Sequence, residues 1–254
     1  MSDFNEFSSG YEGVAEFYDL FASNEDLPFY LKYARKYGSP ILDLAAGTGR
    51  ISFALALEGF QVTALEQSPS MLAVSHQKLE NAPLEISSLI EIVKGNMNDF
   101  SLDRKYSLII IPGSFGHALT TEEQLSTLSC IHDHLSDDGV FILDLYPGGA
   151  MDEHSMFTDH PATLPDGRTV TRSGIINIDF TAQSLQIELT FQVENPDGKT
   201  ETIQVVSNAA IIFNREADLL IHISGFEILE EFGGFDERPY TQDCGRRILV
   251  LKKR

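Results

Sequence analysis

The period of the apolar positions changes along this chain, and the changes divide it. From residue 38 to about 145, short apolar runs alternate with segments whose apolar residues recur at helical spacing. That alternation predicts strands wound into a parallel sheet with helices on both faces. Pro40-Ile41-Leu42-Asp43-Leu44 reads as a buried strand, and Arg50 to Glu58 as a helix with Ile51, Ala54 and Leu55 on one face and Gly59 as its stop. Gln61 to Leu65 reads as the second strand; Ser68-Pro69 then offers a hydroxyl N-cap followed by proline at the first helical position. Leu89–Val93, Leu108–Ile111 and Val140–Leu145 fit three more strands. Ahead of the last, Thr121 and Gln124 stand at capping-box spacing before the stripe Leu125, Leu128, Ile131 and Leu135.

Beyond Pro147-Gly148-Gly149 the helical spacing disappears. Residues 151–166 carry no clear pattern and predict an irregular loop. Thr169 to Phe213 alternates with period two around the turn Asn195-Pro196-Asp197-Gly198, which predicts an inserted antiparallel sheet of three or four strands. A helix from about Arg215 to Ser224, stopped by Gly225, and strands at Ile228–Glu231 and Arg247–Leu251 restore the α/β pattern.

Composition narrows the function classes. Apolar residues form 43% of the 254, enough for a substantial core, and 38 acidic against 18 basic residues leave a net charge of −20. Such a field repels phosphate backbones, so no nucleic-acid partner is expected. Cys130 and Cys244 stand apart, without metal or disulfide spacing, as in a reducing cytoplasm. The acidic start Met1-Ser2-Asp3-Phe4-Asn5-Glu6 has no apolar run behind it, and no stretch approaches the roughly 18 apolar residues of a membrane span. A soluble, cytoplasmic protein without membrane association is expected. No metal is expected either. His132 and His134, two apart on a helix, point away from each other and are expected in solvent, and nothing fixes His154 or His160 as ligands. Ser114-Phe115-Gly116 lacks the spacing of a hydrolase elbow.

The chemistry lies in Asp43-Leu44-Ala45-Ala46-Gly47-Thr48-Gly49-Arg50, between the first strand and its helix. Two glycines there allow a tight turn and a ligand approach unobstructed by Cβ atoms. A dinucleotide site is the rival. Its third glycine, counted from Gly47, would fall at Ser52, and Asp43 has the wrong sign for a pyrophosphate but the right sign for a cationic amino-acid ligand.

The loop resembles the first motif of the class I S-adenosylmethionine-dependent methyltransferases, which usually have glycine where this chain has Ala45. The resemblance runs from about Tyr18 to Leu251 and points to the small-molecule, N-methyltransferase-like branch. It implies a doubly wound, Rossmann-like, seven-stranded α/β sheet, mostly parallel with the last strand antiparallel, carrying an inserted antiparallel β-sheet and an N-terminal helical lid. The corresponding domains are a lid over 1–37, a cofactor-binding domain over 38–150 and 215–254, and a β subdomain over 151–214.

The resemblance also assigns roles. S-adenosyl-L-methionine, leaving as S-adenosyl-L-homocysteine, would be held by Asp43, Ala45, Gly47, Gly49 and Arg50 of the loop. Glu66 would take the ribose hydroxyls, with Gln67 beside it and Met71 near the adenine. Asn96, where the family has aspartate, and the backbone of Met97 would meet the adenine edge. Pro112 and Ser114 would pass under the methionine half, which Tyr18 of the lid would also reach, with Tyr11 as a second aromatic. His117 is the candidate for contact with the acceptor or for taking its proton, and His117 and Tyr18 form the candidate catalytic pair. The acceptor would be a small molecule, an amine in preference to a hydroxyl because no firm general-base pair is visible. Arg238 or Tyr240 would reach it, and the insert would roof the pocket or pair two subunits as a homodimer. An NAD(P)-dependent oxidoreductase and a non-catalytic binding module remain as alternatives, the latter because Ala45 and Asn96 both depart from the motif.

Glu66→Ala is expected to cost about 1–3 kcal/mol of S-adenosylhomocysteine affinity in calorimetry, the scale of a stranded polar partner. Unchanged affinity would mean that the ribose is held elsewhere.

Overall fold

The computed structural model describes residues 8–147 and 152–254. After β1 (Ser8–Ser9) and a 3-10 turn over Ala15–Leu20 come α1 (Leu27–Tyr37), β2 (Ile41–Leu44), α2 (Arg50–Leu57), β3 (Val62–Glu66) and α3 (Pro69–Asn81). The one-turn α4 (Leu84–Ser87), β4 (Ile90–Lys94), β5 (Tyr106–Ile111), a 3-10 turn at Phe115–His117, α5 (Thr121–His134) and β6 (Leu135–Leu145) follow. β7 (His154–Thr158), β8 (Ala162–Thr163), β9 (Thr169–Asp179), β10 (Ser184–Glu194) and β11 (Thr200–Ala210) precede α6 (Asn214–Ile223), β12 (Phe226–Phe232) and β13 (Arg247–Lys253).

The larger sheet has seven strands in the order β12-β13-β6-β5-β2-β3-β4, all parallel except β13, which runs against both neighbours. Strand alternation sorts its two faces. Ile41, Leu108, Ile110, Val140, Ile142 and Ile248 pack under α1 and α2 through Phe29, Tyr30, Ile51 and Leu55. Leu42, Leu44, Ile109, Ile111, Leu143 and Leu249 pack under α5 and α6 through Leu128, Ile131, Leu220 and Ile221. The chain winds outward from β2 through β3 to β4, then returns to β5 on the other side of β2. The carboxyl ends of β2 and β5 therefore diverge at a topological switch point, where open α/β sheets leave a crevice.

The second sheet has the order β1-β11-β10-β9-β7, with β8 also paired to β9. One face of it carries Val170, Leu189, Phe191, Val193 and Val205 onto Val14 and Phe17 of the N-terminal segment. That segment is tied down at both ends: Gly10 N–H donates to the Val206 carbonyl, and Lys78 pairs with Asp19 at 2.5 Å.

Several expectations need correcting. Residues 151–166 are not an irregular loop: β7 and β8 lie there as edge pieces. Alternating exposure along His154–Thr158, with Met156 outward, left them only a weak apolar signal. The α5 capping box is set one residue earlier than expected. Thr120 Oγ accepts from Glu123 N–H at 3.2 Å and Glu123 answers to Thr120 N–H, leaving Thr121 as the first helical residue. His134 is buried, not in solvent: its Nε2 accepts from Leu102 N–H at 2.8 Å, and the ring packs on Phe100. His132 packs edge-on against Phe226. Of the helical lid expected over 1–37, the described part holds a turn, the 3-10 segment Ala15–Leu20 and α1. The expected start of the lid at residues 1–7 and the junction at 148–151 lie outside the described residues. Among the described residues no helix is long and apolar enough to cross a membrane.

The two sheets meet at Gly116. A Cβ there would come within 2.8 Å of the Ala210 carbonyl oxygen and 3.3 Å of Ala209 Cβ. Gly116→Ala is expected to lower unfolding free energy by about 1–3 kcal/mol in urea titration, the scale of core overpacking. No change would show that the insert yields freely at that point.

Candidate functional site

Two cavities open along the carboxyl edge of the seven-stranded sheet, and they share two residues. The first, about 350 Å³, is lined among others by Tyr11, Tyr18, Ala45, Gly47, Leu65, Glu66, Met71 and Met97. The second, about 320 Å³, lies between the ends of β5 and β6 and the inner face of the second sheet. His117 and Ser207 line both.

The first cavity is shaped by backbone conformation. Ala45, Gly47 and Gly49 all have positive φ, at 52°, 59° and 78°. Glycine adopts this region freely, whereas a non-glycine residue held there costs of order 1–3 kcal/mol, so Ala45 is a strained link in the loop. The strain is held by Glu66 at the end of β3. Its Oε2 accepts from Gly47 N–H at 2.8 Å, and its Oε1 accepts from Gln67 and Ser68 N–H at 2.8 and 2.7 Å. This carboxylate fixes the glycine loop and the start of α3 together. Above them, Glu12 accepts from the Ser68 hydroxyl and Tyr11 stacks edge-on against Tyr18 at 5.0 Å. Burial, with Tyr11 adding, pushes the Tyr18 phenol up to about 12, so it remains a hydrogen-bond donor and is no base at neutral pH.

Beneath the cavities lie two buried carboxylates. Asp43 ends the α1-facing row of β2; its Oδ2 accepts from Ser52 Oγ at 2.6 Å, and its Oδ1 has no partner among the described residues. Burial pushes its pKa up to about 7 against the pull of Ser52 and Arg50. Asp144 ends the equivalent row of β6 and lines the second cavity. Arg246 binds its Oδ2 and also the Tyr146 hydroxyl, while Oδ1 has no partner among the described residues. Burial pushes this carboxyl up to about 6, with Arg246 and a hydrogen bond from the Gly113 backbone opposing.

His117 stands where the cavities join. Its Nδ1 lies 3.1 Å from the Asn208 carbonyl oxygen. A carbonyl only accepts, so Nδ1 carries the proton and a neutral ring keeps its lone pair on Nε2.

The structure brings Tyr18, Ala45, Gly47, Glu66, Gln67, Met71, Met97, Ser114 and His117 together on the first cavity. It does not bring the others there. Arg50 makes a bidentate pair with Asp26 at 2.7 and 2.5 Å. Gly49 is kept small by packing, since a Cβ would stand 3.0 Å from the Phe53 ring and Ser75. Asn96 turns its Oδ1 to Asn98 N–H at 3.2 Å, Pro112 gives its carbonyl to the Ser114 hydroxyl, and Asp43 lies below the floor. Arg238 and Tyr240 line neither cavity: Arg238 donates to the Gly233 carbonyl, and Tyr240 bonds Asn214. Ser207, Asn208, Asp144 and Tyr146 were missed. For Asp144 a signal existed, a lone charge inside the apolar run Val140 to Leu145.

Comparison with known proteins agrees with this architecture. A family profile described as a methyltransferase domain matches residues 41–139. A cypemycin N-terminal methyltransferase from a Streptomyces species is 28% identical, over 85% of this chain and 84% of its own. The dTDP-3-amino-3,4,6-trideoxy-alpha-D-glucopyranose N,N-dimethyltransferase of Streptomyces venezuelae is 27% identical, over 72% of this chain and 76% of its own. Among solved structures, S-adenosylmethionine-bound CalS10, an amino pentose methyltransferase from Micromonospora echinaspora, superposes with a TM-score of 0.71 at 19% identity over 100% of both chains.

The Asp43 environment carries a signed pH dependence. Its pKa is about 7 in the fold against the ordinary 3.8, so between those values the folded chain holds a proton that the unfolded chain has released. The stability this contributes is complete at low pH and lost as pH rises toward 7. Asp43→Asn cannot ionise. Urea titrations at pH 5 and pH 8 are expected to show the variant gaining relative to the parent at pH 8; a pH-independent difference would mean that the carboxyl is solvated.

Proposed function

We propose that this chain, a class I S-adenosylmethionine-dependent methyltransferase, methylates the amino nitrogen of a small molecule that enters through the second cavity. The observation that carries the reading is the junction itself: one cavity suited to the methyl donor and one suited to an acceptor, with His117 and Ser207 common to both. Nitrogen is favoured because one relative is named an N-terminal methyltransferase and another an N,N-dimethyltransferase of an amino sugar.

The residues present fit the donor. Glu66 keeps one lone-pair site, on Oε2, for a ribose hydroxyl, Gly47 leaves the approach open, and Leu65, Met71 and Met97 supply apolar walls for a base. The Met97 backbone amide and, more weakly, Asn96 would meet the adenine edge, and Gln67 would lie beside the ribose. Ala45, Pro112 and Ser114 would border the methionine half, with the Tyr18 phenol as a donor. Asp43, below the floor, would favour the donor's ammonium group by its charge through the loop and not by direct contact. Gly49 and Arg50 act at one remove, through helix packing and the ion pair to Asp26. Bound S-adenosylmethionine supplies an electrophilic methyl carbon on a sulfonium, which requires neither a metal nor a covalent enzyme intermediate.

The protein supplies alignment and a route for one proton. An ammonium ion has no lone pair to donate, so the acceptor must lose a proton first. His117 Nε2 takes it, held in the required tautomer by the Asn208 carbonyl. The segment from Gly10 to Tyr18 covers the first cavity and limits the access of water. A dinucleotide is disfavoured by Ser52 where the third glycine would stand and by the Asp43 carboxylate beneath the loop, while Glu66 suits either ligand's ribose. A cytoplasmic location is supported by the two unpaired cysteines, and a homodimer by the open outer face of the second sheet, where Met156 stands exposed.

Labelled methyl is expected to pass to primary amines and not to the matching alcohols in a panel of both. His117→Ala is expected to lower kcat by about a hundredfold or more, the scale of general-base catalysis, and to leave S-adenosylhomocysteine affinity unchanged. Transfer to alcohols alone would contradict the nitrogen assignment, and an unaltered kcat would move the proton acceptor elsewhere.

A further inference from the structure

The walls of the second cavity say more about the acceptor than the relatives do. Cross-strand neighbours Ile176, Ile187 and Ser207 form one row across β9, β10 and β11, and Leu185 pairs with Ala209 in the next. Both rows face the cavity, with Leu145, Ile211 and Ile212 opposite. This is a hydrocarbon lining with one charged residue in it, Asp144. Half of that carboxylate is satisfied by Arg246, and Oδ1 is buried with no partner among the described residues. A buried acceptor left unmatched costs free energy unless a ligand supplies the donor.

Equally informative is the sign of the charges. No lysine or arginine lines either cavity among the described residues, and residues 148–151, Gly-Gly-Ala-Met, add none. Arg246 is near, but its guanidinium is committed to Asp144 and Tyr146 and lies over the Tyr146 and Phe235 rings at 4.5 and 4.6 Å. A diphosphate is held by free cationic forks or lysines, and its charge would be placed here beside a carboxylate in a chain of net charge −20. The nucleotide-linked sugar named for one relative is therefore the wrong shape of charge for this site.

We infer that the acceptor is an amine with an apolar body, its nitrogen donating to Asp144 Oδ1 near His117 and its hydrocarbon lying against Ile176, Leu185 and Ile187. The inference rests on the amine reading above and adds the substrate class and the residue that selects it. At about 320 Å³ the cavity is at the small end of ligand pockets, which span roughly 300–1,000 Å³, so a compact alkyl or aryl group fills it. Each buried methylene then strengthens binding about fourfold.

The test is calorimetry on the full chain saturated with S-adenosylhomocysteine, titrated with n-alkylamines from butylamine to octylamine. Kd is expected to fall about fourfold per methylene until the cavity is full. Thymidine 5′-diphosphate is not expected to displace the amine. Asp144→Asn is expected to weaken octylamine at least tenfold while sparing 1-octanol and S-adenosylhomocysteine. Should that variant fail to fold, Ile187→Trp fills the hydrocarbon end and is expected to weaken octylamine but not butylamine. A Kd independent of chain length, or displacement by thymidine 5′-diphosphate, overturns the inference. Methyl transfer to glycine or a nucleotide-linked amino sugar with a flat alkylamine series defeats it while leaving the amine reading standing. Transfer to octanol and not octylamine defeats the amine reading with the apolar pocket intact.

Discussion

Gly116 lies so close to β11 that backbone faces backbone, and the site is organised around that approach. With no side chain between them, the loop after β5 and the last strand of the insert become one wall. His117, the next residue, then reaches the Asn208 carbonyl, which fixes its ring and its tautomer. Ser207, one residue back along β11, falls at the mouth shared by the two cavities. The insert is thus a wall of both cavities, and a bulkier residue at 116 would push it away from the loop after β5.

Electrostatics follow from the same edge. Strand rows that are apolar under α1 end in Asp43 on β2 and Asp144 on β6, so two carboxylates are carried inside with one oxygen each unmatched. Both are pushed up by burial, to about 7 and about 6, and neither is fully neutralised by a neighbouring cation. Such groups are poor contributors to stability and good receptors for ammonium ions. One lies beneath the first cavity, and the other lines the second. The acidic surface extends the same preference outward and favours cationic ligands over phosphorylated ones.

Much of this was legible in the sequence, for reasons that are local. Strand and helix periods, Ser68-Pro69 at a helix start, the glycine loop and Glu66 after β3 are all set by neighbours within a few residues, and the family resemblance rests on them. Long-range pairings were not legible. Arg50 stands in a ligand-binding motif, yet Asp26, 24 residues earlier, captures it. Asn96 was expected at the adenine, and its amide oxygen closes a turn on Asn98. His134 was expected in solvent because helix spacing says nothing about the Leu102 amide waiting on a neighbouring loop. β7 and β8 escaped because an edge strand buries only one thin stripe. The second cavity escaped as well, since its walls come from segments on or beside β5, β6, β9, β10 and β11, which share no motif.

We propose that the methyl donor and an apolar amine occupy the adjoining cavities that meet at His117 and Ser207. A crystal structure of the chain with both S-adenosylhomocysteine and octylamine bound tests it directly. The thioether sulfur is expected on the Glu66 side of the junction and the amine nitrogen on the Asp144 side, with His117 beside both. An amine seated in the Glu66 cavity, or anywhere away from the insert's Ile176, Leu185 and Ile187, would contradict it.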